Sequence, residues 1–232
     1  MALVVEIGNT RVKVATFHEK KLIRTAILES PGELEEWIEK PIVFLDTRRS
    51  PLWREALRSY GAEELTTTLG VPFPTRYSTE LGPDRAAALT AVWAEKRFPA
   101  TLISLGTACV VDYLDATGYH QGGVITAGLS LRLWALAHRT GRLPLVEPAP
   151  TPPPLGTTTQ EALQSGCLRG LAHELAGWIQ QLGPASLWIT GGEAPLLLPY
   201  LPSHAIFAPT LILTGAWLWW LYLQERGFSG SS

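Results

Sequence analysis

The sequence predicts a duplicated α/β fold of two related lobes, and three observations carry that expectation. VEIGNTRVKV and ISLGTACVVD each place an apolar run before a glycine, then small hydroxyl or amide residues, then a second run. Gly8 and Gly106 stand at corresponding places in the two halves, and a third glycine turn, TGGEAP, follows another apolar run. Segments of helical period lie between these runs, so strands and helices alternate along the chain.

Taken in order, LVV, EIGNT and RVKVATF read as strand, tight glycine turn and alternating strand. Residues 31–40 (PGELEEWIEK) have helical spacing, PIVFLDT is a buried strand, and 52–60 is helical. Residues 84–96 (DRAAALTAVWAEK) are rich in Ala, Leu, Glu and Lys and form a helix. TLISLGTACVVDYL repeats the strand–turn–strand pattern, GYHQGGVITAG adds a hairpin and a sharp turn, and 129–138 is helical. EPAPTPPPLG is proline-dense and reads as a stiff, plain connector. A long helix covers 159–182, SLWITGG is a strand with a glycine turn, and a strand and helix close the chain. The expected division is 1–100 for an N-terminal lobe and 101–232 for a C-terminal lobe.

Composition narrows the function classes. The 19 Lys and Arg against 21 Asp and Glu give a net charge of -2, without the basic excess of a nucleic-acid surface. Cys109 and Cys167 are too few for a disulfide framework and lack zinc spacing, so buried, reduced thiols are expected. MALVVEIGNT has no basic start or small-residue cleavage site, and a cytoplasmic location is the expectation. AIFAPTLILTGAWLWWLYLQER is long and apolar, but Pro209, Thr210, Thr214 and Gly215 split it into a short strand and a Trp-rich helix. That helix is expected to be buried, or covered by a partner subunit, rather than to cross a membrane. His18, His120, His138, His173 and His204 show no metal spacing.

Chemistry concentrates in the glycine turns. A phosphate-binding turn uses glycine so that backbone N–H groups can approach the anion, and it gains from hydroxyl or amide donors. Gly8, Asn9 and Thr10 supply this in the first half, Gly106 and Thr107 in the second. Lys13 could reach phosphates from the adjoining strand, and Glu6 could hold Mg²⁺ through water. Two ordinary hairpins remain the alternative. In GPDRAAAL, Gly82 and Pro83 precede a helix that begins with Asp84 and Arg85. A capping Asp with an exposed Arg would account for this. In the functional account, Asp84 takes the proton of an attacking substrate hydroxyl, and Arg85 grips an anionic group with its forked donors.

In this order the pieces resemble the type III pantothenate kinase family, which includes the Bvg accessory factor proteins. EIGNTRVK resembles the family's DxGNTxxK, GPDR its GxDR, and SLGTACVVDYL with GGVITAG its DxGTAxTxD and GGxIxPG. ALAHRTGRLPLVE resembles LxxxTAxLPxV, TTTQEALQSGCLRG resembles NTxxAxxSGxxxG, and ITGG resembles the terminal TGG. The resemblance implies an actin-like ATPase (ribonuclease H-like) fold, each lobe a mixed sheet with flanking helices. It implies transfer of the ATP γ-phosphate to pantothenate, opening coenzyme A synthesis, with ATP, Mg²⁺ and a monovalent cation (K⁺ or NH₄⁺) as cofactors. By the same resemblance, Glu6, Ile7, Gly8, Asn9, Thr10, Arg11, Val12, Lys13 and Thr107 line ATP, and Asp84 is the base. Gly82, Pro83, Asp84, Arg85, Tyr77 and Thr159 bind pantothenate, and the substrate site lies at a subunit interface, implying a homodimer. No nucleic-acid or membrane partner is implied.

The departures have chemical content. Glu6 replaces the family's first Asp with a carboxylate one methylene longer. Ser104 replaces the second, which helps hold the monovalent cation, and a neutral hydroxyl is a poorer ligand. Thr158 stands where the family has Asn and Val110 where it has Thr; Asp112 is retained. A family member with little kinase activity, serving as a binding or regulatory protein, is therefore the competing expectation.

Overall fold

The computed structural model describes residues 1–78 and 80–227. The chain forms two compact units, Met1–Lys96 together with the segment beginning at Thr210, and Arg97–Pro209.

In the first unit, β1 (Ala2–Ile7), β2 (Val12–His18) and β3 (Lys21–Leu28) form an antiparallel run. A 3-10 helix at Pro31–Trp37 leads to β4 (Ile42–Asp46), which lies parallel to β1. Then come α1 (Pro51–Ser59), β5 (Glu63–Glu64) parallel to β4, and α2 (Pro83–Ala94). The sheet order is β3-β2-β1-β4-β5. Every residue of β1 is buried, as expected of a central strand covered on both faces. Within the 31–40 stretch of helical spacing, PGELEEW forms a 3-10 helix. Its two buried residues, Leu34 and Trp37, are three apart, so a three-residue period is the one that turns both inward. β3 falls in a stretch that carries no clear strand signal in the sequence; it is an edge strand, and most of its side chains are exposed.

The second unit repeats the plan. β6 (Ala100–Leu105), β7 (Ala108–Leu114) and β8 (His120–Ala127) are antiparallel. After α3 (Leu129–Arg139) and α4 (Thr159–Leu182), β9 (Ser186–Thr190) lies parallel to β6. The short α5 (Ala194–Leu197) and β10 (Ile206–Phe207) complete the order β10-β9-β6-β7-β8. Position by position and direction by direction this matches the first sheet, so the weak repeat around Gly8 and Gly106 reflects a duplicated topology. The core of this unit gathers around Ile103, Leu105, Leu168 and Ile189.

α6 (Leu211–Glu225) follows β10 in the chain but packs in the first unit, whereas the expected 101–232 division grouped it with the second lobe. The reason is a close backbone contact with α2. A Cβ on Gly215 would lie 1.7 Å from the Ala87 carbonyl oxygen, so only glycine allows this approach to the Ala-rich helix. The indoles complete the fit. Trp217 stacks on Phe17 and Trp220, and the ring N–H groups of Trp217 and Trp219 donate to the carbonyls of Glu19 (2.5 Å) and Gly70 (2.7 Å). The apolar C-terminal stretch is thus a buried helix, and no described helix is long and apolar enough to cross a membrane.

The proline-dense connector is more than a plain link. Gln164, Ser165 and Arg169 of α4 donate to the carbonyls of Glu147 (2.8 Å), Pro154 (3.0 Å) and Pro152 (3.3 Å). Prolines carry no N–H for a ladder, so their carbonyls find side-chain donors instead.

Candidate active site

In the first unit the site is built on the β1–β2 hairpin. The register pairs Glu6 with Lys13 and Ile7 with Val12, and the Gly8 N–H closes the turn onto the Arg11 carbonyl at 3.0 Å. Glu6 is buried, and its Oε2 lies 3.2 Å from Lys13 Nζ. Burial pushes the Glu6 carboxyl above its usual range; Lys13 opposes that rise and the Asp84 charge adds to it. The two carboxylates therefore act within one electrostatic neighbourhood. Asn9, Thr10 and Arg11 are exposed at the turn. The end of β1 is anchored from β4, since Thr47 donates to the Ile7 carbonyl through its N–H (3.0 Å) and its hydroxyl (3.1 Å). Asp46, beside it, accepts the N–H groups of Arg48, Arg49 and Ser50 and the Nε of Arg54.

The GPDR run opens α2, with Gly82 as the capping residue, Pro83 in the first turn, and Asp84 as that turn's acid. A Cβ on Gly82 would stand 2.7 Å from Asp84 Oδ1, so glycine at 82 leaves the space the carboxylate occupies. Arg85 is buried, not exposed as an ordinary capping arrangement would have it, and its guanidinium lies 4.5 Å from the centre of the Tyr77 ring. The structure thus brings together Tyr77 and Arg85, and places the Asp84 charge close enough to Glu6 to act on it.

In the second unit, Ser104 stands opposite Val110 in the β6–β7 hairpin, and the Gly106 N–H donates to the Ala108 carbonyl at 3.0 Å. Thr107 is exposed at the turn. Thr159 is the first residue of α4. The box before it is formed by Thr158, which accepts the Glu161 N–H, and by Glu161, which accepts the N–H groups of Thr157 and Thr158. Thr159 lines a cavity of about 640 Å³ between α3 and α4, with Ala127, Arg132, Leu143 and Cys167 among its other walls. Arg132 pairs there with Glu174 and donates to the Ala127 carbonyl. By the strand register Asp112 lies two residues beyond Val110, the residue opposite Ser104, on the same face of the sheet. It is buried, with its carboxylate 2.9 Å from His120 Nε2. At 104 itself a neutral hydroxyl stands where the resemblance expects a carboxylate. Both cysteines are buried and free, and burial pushes the Cys109 thiol up to about 12.

One residue of evident importance escaped the reading of the sequence. Glu193, directly after the TGG turn, reaches the start of α3 from 64 residues away in the chain. Only the glycine pair before it marked the place.

Two sheets of one strand order, each carrying a glycine turn at the end of its central strand, define the actin-like ATPase fold. Solved structures agree on that fold. A structure described as a Baf family transcriptional activator from Campylobacter jejuni matches with a TM-score of 0.68 at 21% identity, covering 97% of this chain and 98% of that one. The activator of 2-hydroxyisocaproyl-CoA dehydratase from Clostridium difficile, with bound ADPNP, matches at 0.56 and 12% identity, covering 100% and 99%. Within that class the sequence is specific. Residues 45–181 match the family model of type III pantothenate kinase. Type III pantothenate kinases of Gloeobacter violaceus and Porphyromonas gingivalis (strain W83) are 36% and 31% identical, over 98% and 92% of this chain and 99% and 95% of their own lengths. The chain belongs to the type III pantothenate kinase family.

Proposed function

We propose that the protein phosphorylates pantothenate with ATP, the opening step of coenzyme A synthesis, and that Asp84 is the base. The observation that carries this reading is the placement of Asp84 in the first turn of α2, with Gly82 clearing its carboxylate and its charge felt by Glu6. In the reaction the Asp84 carboxylate takes the proton of the pantothenate hydroxyl. That oxygen bonds to the γ-phosphorus as the bond to the β-phosphate oxygen breaks, and ADP leaves. Lys13 and the turn at 8–10 meet the phosphates, joined by Thr107; Arg85 and Tyr77 hold the anionic end of pantothenate, with Thr159 as a further contact. Glu6 would meet a hard divalent cation through water, and Mg²⁺ carried with ATP would neutralise charge on the phosphates. A homodimer in the cytoplasm is part of this reading.

Ser104 favours the second reading, a family member with reduced turnover. Pantothenate phosphorylation by the purified protein with Mg²⁺, with and without potassium, beside Asp84→Asn, decides between them. Turnover that vanishes in the variant supports the kinase. A folded wild-type protein with no turnover in either salt would leave only the binding or regulatory role.

A further inference from the structure

Glu193 is tied to the second glycine turn from two sides. Its backbone N–H donates to the Leu105 carbonyl at 3.0 Å, at the end of β6 just before Gly106. Its carboxylate accepts the first two N–H groups of α3, Leu129 to Oε2 at 2.7 Å and Ser130 to Oε1 at 2.8 Å. Both oxygens are thereby engaged at the positive end of an 11-residue helix, where a negative charge is stabilised. Gly128, which precedes that helix, is wedged between the two. A Cβ there would lie 1.9 Å from the Gly106 carbonyl oxygen, 2.9 Å from that of Thr107 and 2.9 Å from Glu193 Oε2. The Gly128 N–H in turn donates to the Thr107 carbonyl at 2.9 Å. Gly191, at φ +101, presses on the same Leu105 carbonyl that the Glu193 N–H holds.

We infer that Glu193 is the positioning residue of this phosphate turn. The carbonyls on either side of Gly106 are fixed from outside, one by the Glu193 backbone and the other by Gly128, which the Glu193 carboxylate holds through the start of α3. The peptide groups of 105–107 are therefore set before nucleotide arrives, and on the Thr107 side their orientation depends on the Glu193 carboxylate. The role rests on the kinase reading for its meaning in turnover, but the geometry predicts an effect on nucleotide binding alone. Glutamine at 193 keeps the shape but offers one accepting oxygen to two N–H donors and sets its own NH₂ against the second.

The test compares E193Q with wild type and with E33Q. Glu33 accepts the N–H groups of Glu29 and Ser30 on its Oε1 at the start of the Pro31–Trp37 helix, so E33Q neutralises a helix-capping carboxylate far along the chain from Gly106 and Gly191. E193Q is expected to raise the KM for ATP and the Kd for ADP by about tenfold, with the KM for pantothenate within about twofold of wild type. E33Q is expected to leave all three unchanged. If E193Q proves unfolded, E193D, which keeps the charge on a shorter reach, carries the same comparison. Unchanged nucleotide constants in a folded variant overturn the proposal, as does an equal rise for both substrates, which would mean general loosening. Should the wild-type protein bind ADP but not phosphorylate pantothenate, the kinase reading fails, and the ADP comparison alone decides the role of Glu193. A wild-type protein that binds no ADP overturns both.

Discussion

The two hairpins share a backbone and differ in charge. At the end of β1 the facing pair is Glu6 and Lys13, a buried carboxylate 3.2 Å from an ammonium. At the matching place on β6 the pair is Ser104 and Val110, without a charge. Each strand end is also pinned from its parallel neighbour's turn, Ile7 by Thr47 and Leu105 by Glu193. The scaffold was kept in both halves, while charge was kept in one. Geometry for a phosphate can be duplicated by backbone alone; in the proposed reaction the charge that serves phosphoryl transfer lies in the first unit, with Asp84.

The largest effect tests that asymmetry directly. Asp84→Asn removes the proposed base and leaves its shape, and should lower kcat by about 10³-fold or more, with ADP affinity within about twofold of wild type. Normal turnover in that variant would take the chemistry out of the first unit.

Next in size is Lys13→Met, expected to lower kcat/KM for ATP by about 30-fold through loss of a charge-assisted phosphate contact. It carries a pH signature as well. The Glu6 carboxyl is already raised in the folded protein by burial. A raised folded pKa means stability is fully present below the unfolded value and is lost as pH rises through the folded one. Removing Lys13 takes away the group that opposes the rise. Lys13→Met should therefore lose thermal stability relative to wild type at pH 7 and recover toward it near pH 5. A melting difference that is flat with pH would show that Glu6 does not depend on Lys13.

Ser104→Asp would restore charge to the second hairpin. Wild-type turnover is expected to be the same in potassium and in a large organic cation at equal ionic strength, whereas the variant should gain a potassium response of about fivefold, roughly 1 kcal/mol. A wild-type protein that already responds would show that a carboxylate at 104 is not what holds the ion.

Much of this comparison was readable in the chain before any coordinates. Glycines preceded by apolar runs marked both turns. The long helix expected over 159–182 is α4, Thr159–Leu182. What was not readable depends on partners far apart in the chain. The pairing of Gly215 with Ala87, which places α6 in the first unit, follows from a backbone approach that no local period encodes. Glu193 gave no signal of its own, since a carboxylate after a glycine turn is ordinary until α3 is seen in front of it. For Arg85 the sequence left open a capping arrangement with an exposed side chain; its burial beside the Tyr77 ring is a contact that no local period encodes.

The smallest effect sharpens the comparison at a single side chain. Cys109 pairs with Leu105 across the second hairpin as Val12 pairs with Ile7 across the first. It is fully buried, and its thiol is pushed up to about 12, chiefly by burial. At pH 8 the thiolate is then a fraction on the order of 10⁻⁴, so alkylation of the native protein at this position should be negligible until it unfolds. Cys109→Val would give both hairpins the same residue there, and a swap of similar volume in a packed core should change stability by less than about 1.5 kcal/mol. Turnover should stay at the wild-type level if Cys109 serves packing alone. Rapid modification of the native thiol, or a large loss of turnover in the valine variant, would instead give the second hairpin a chemistry of its own.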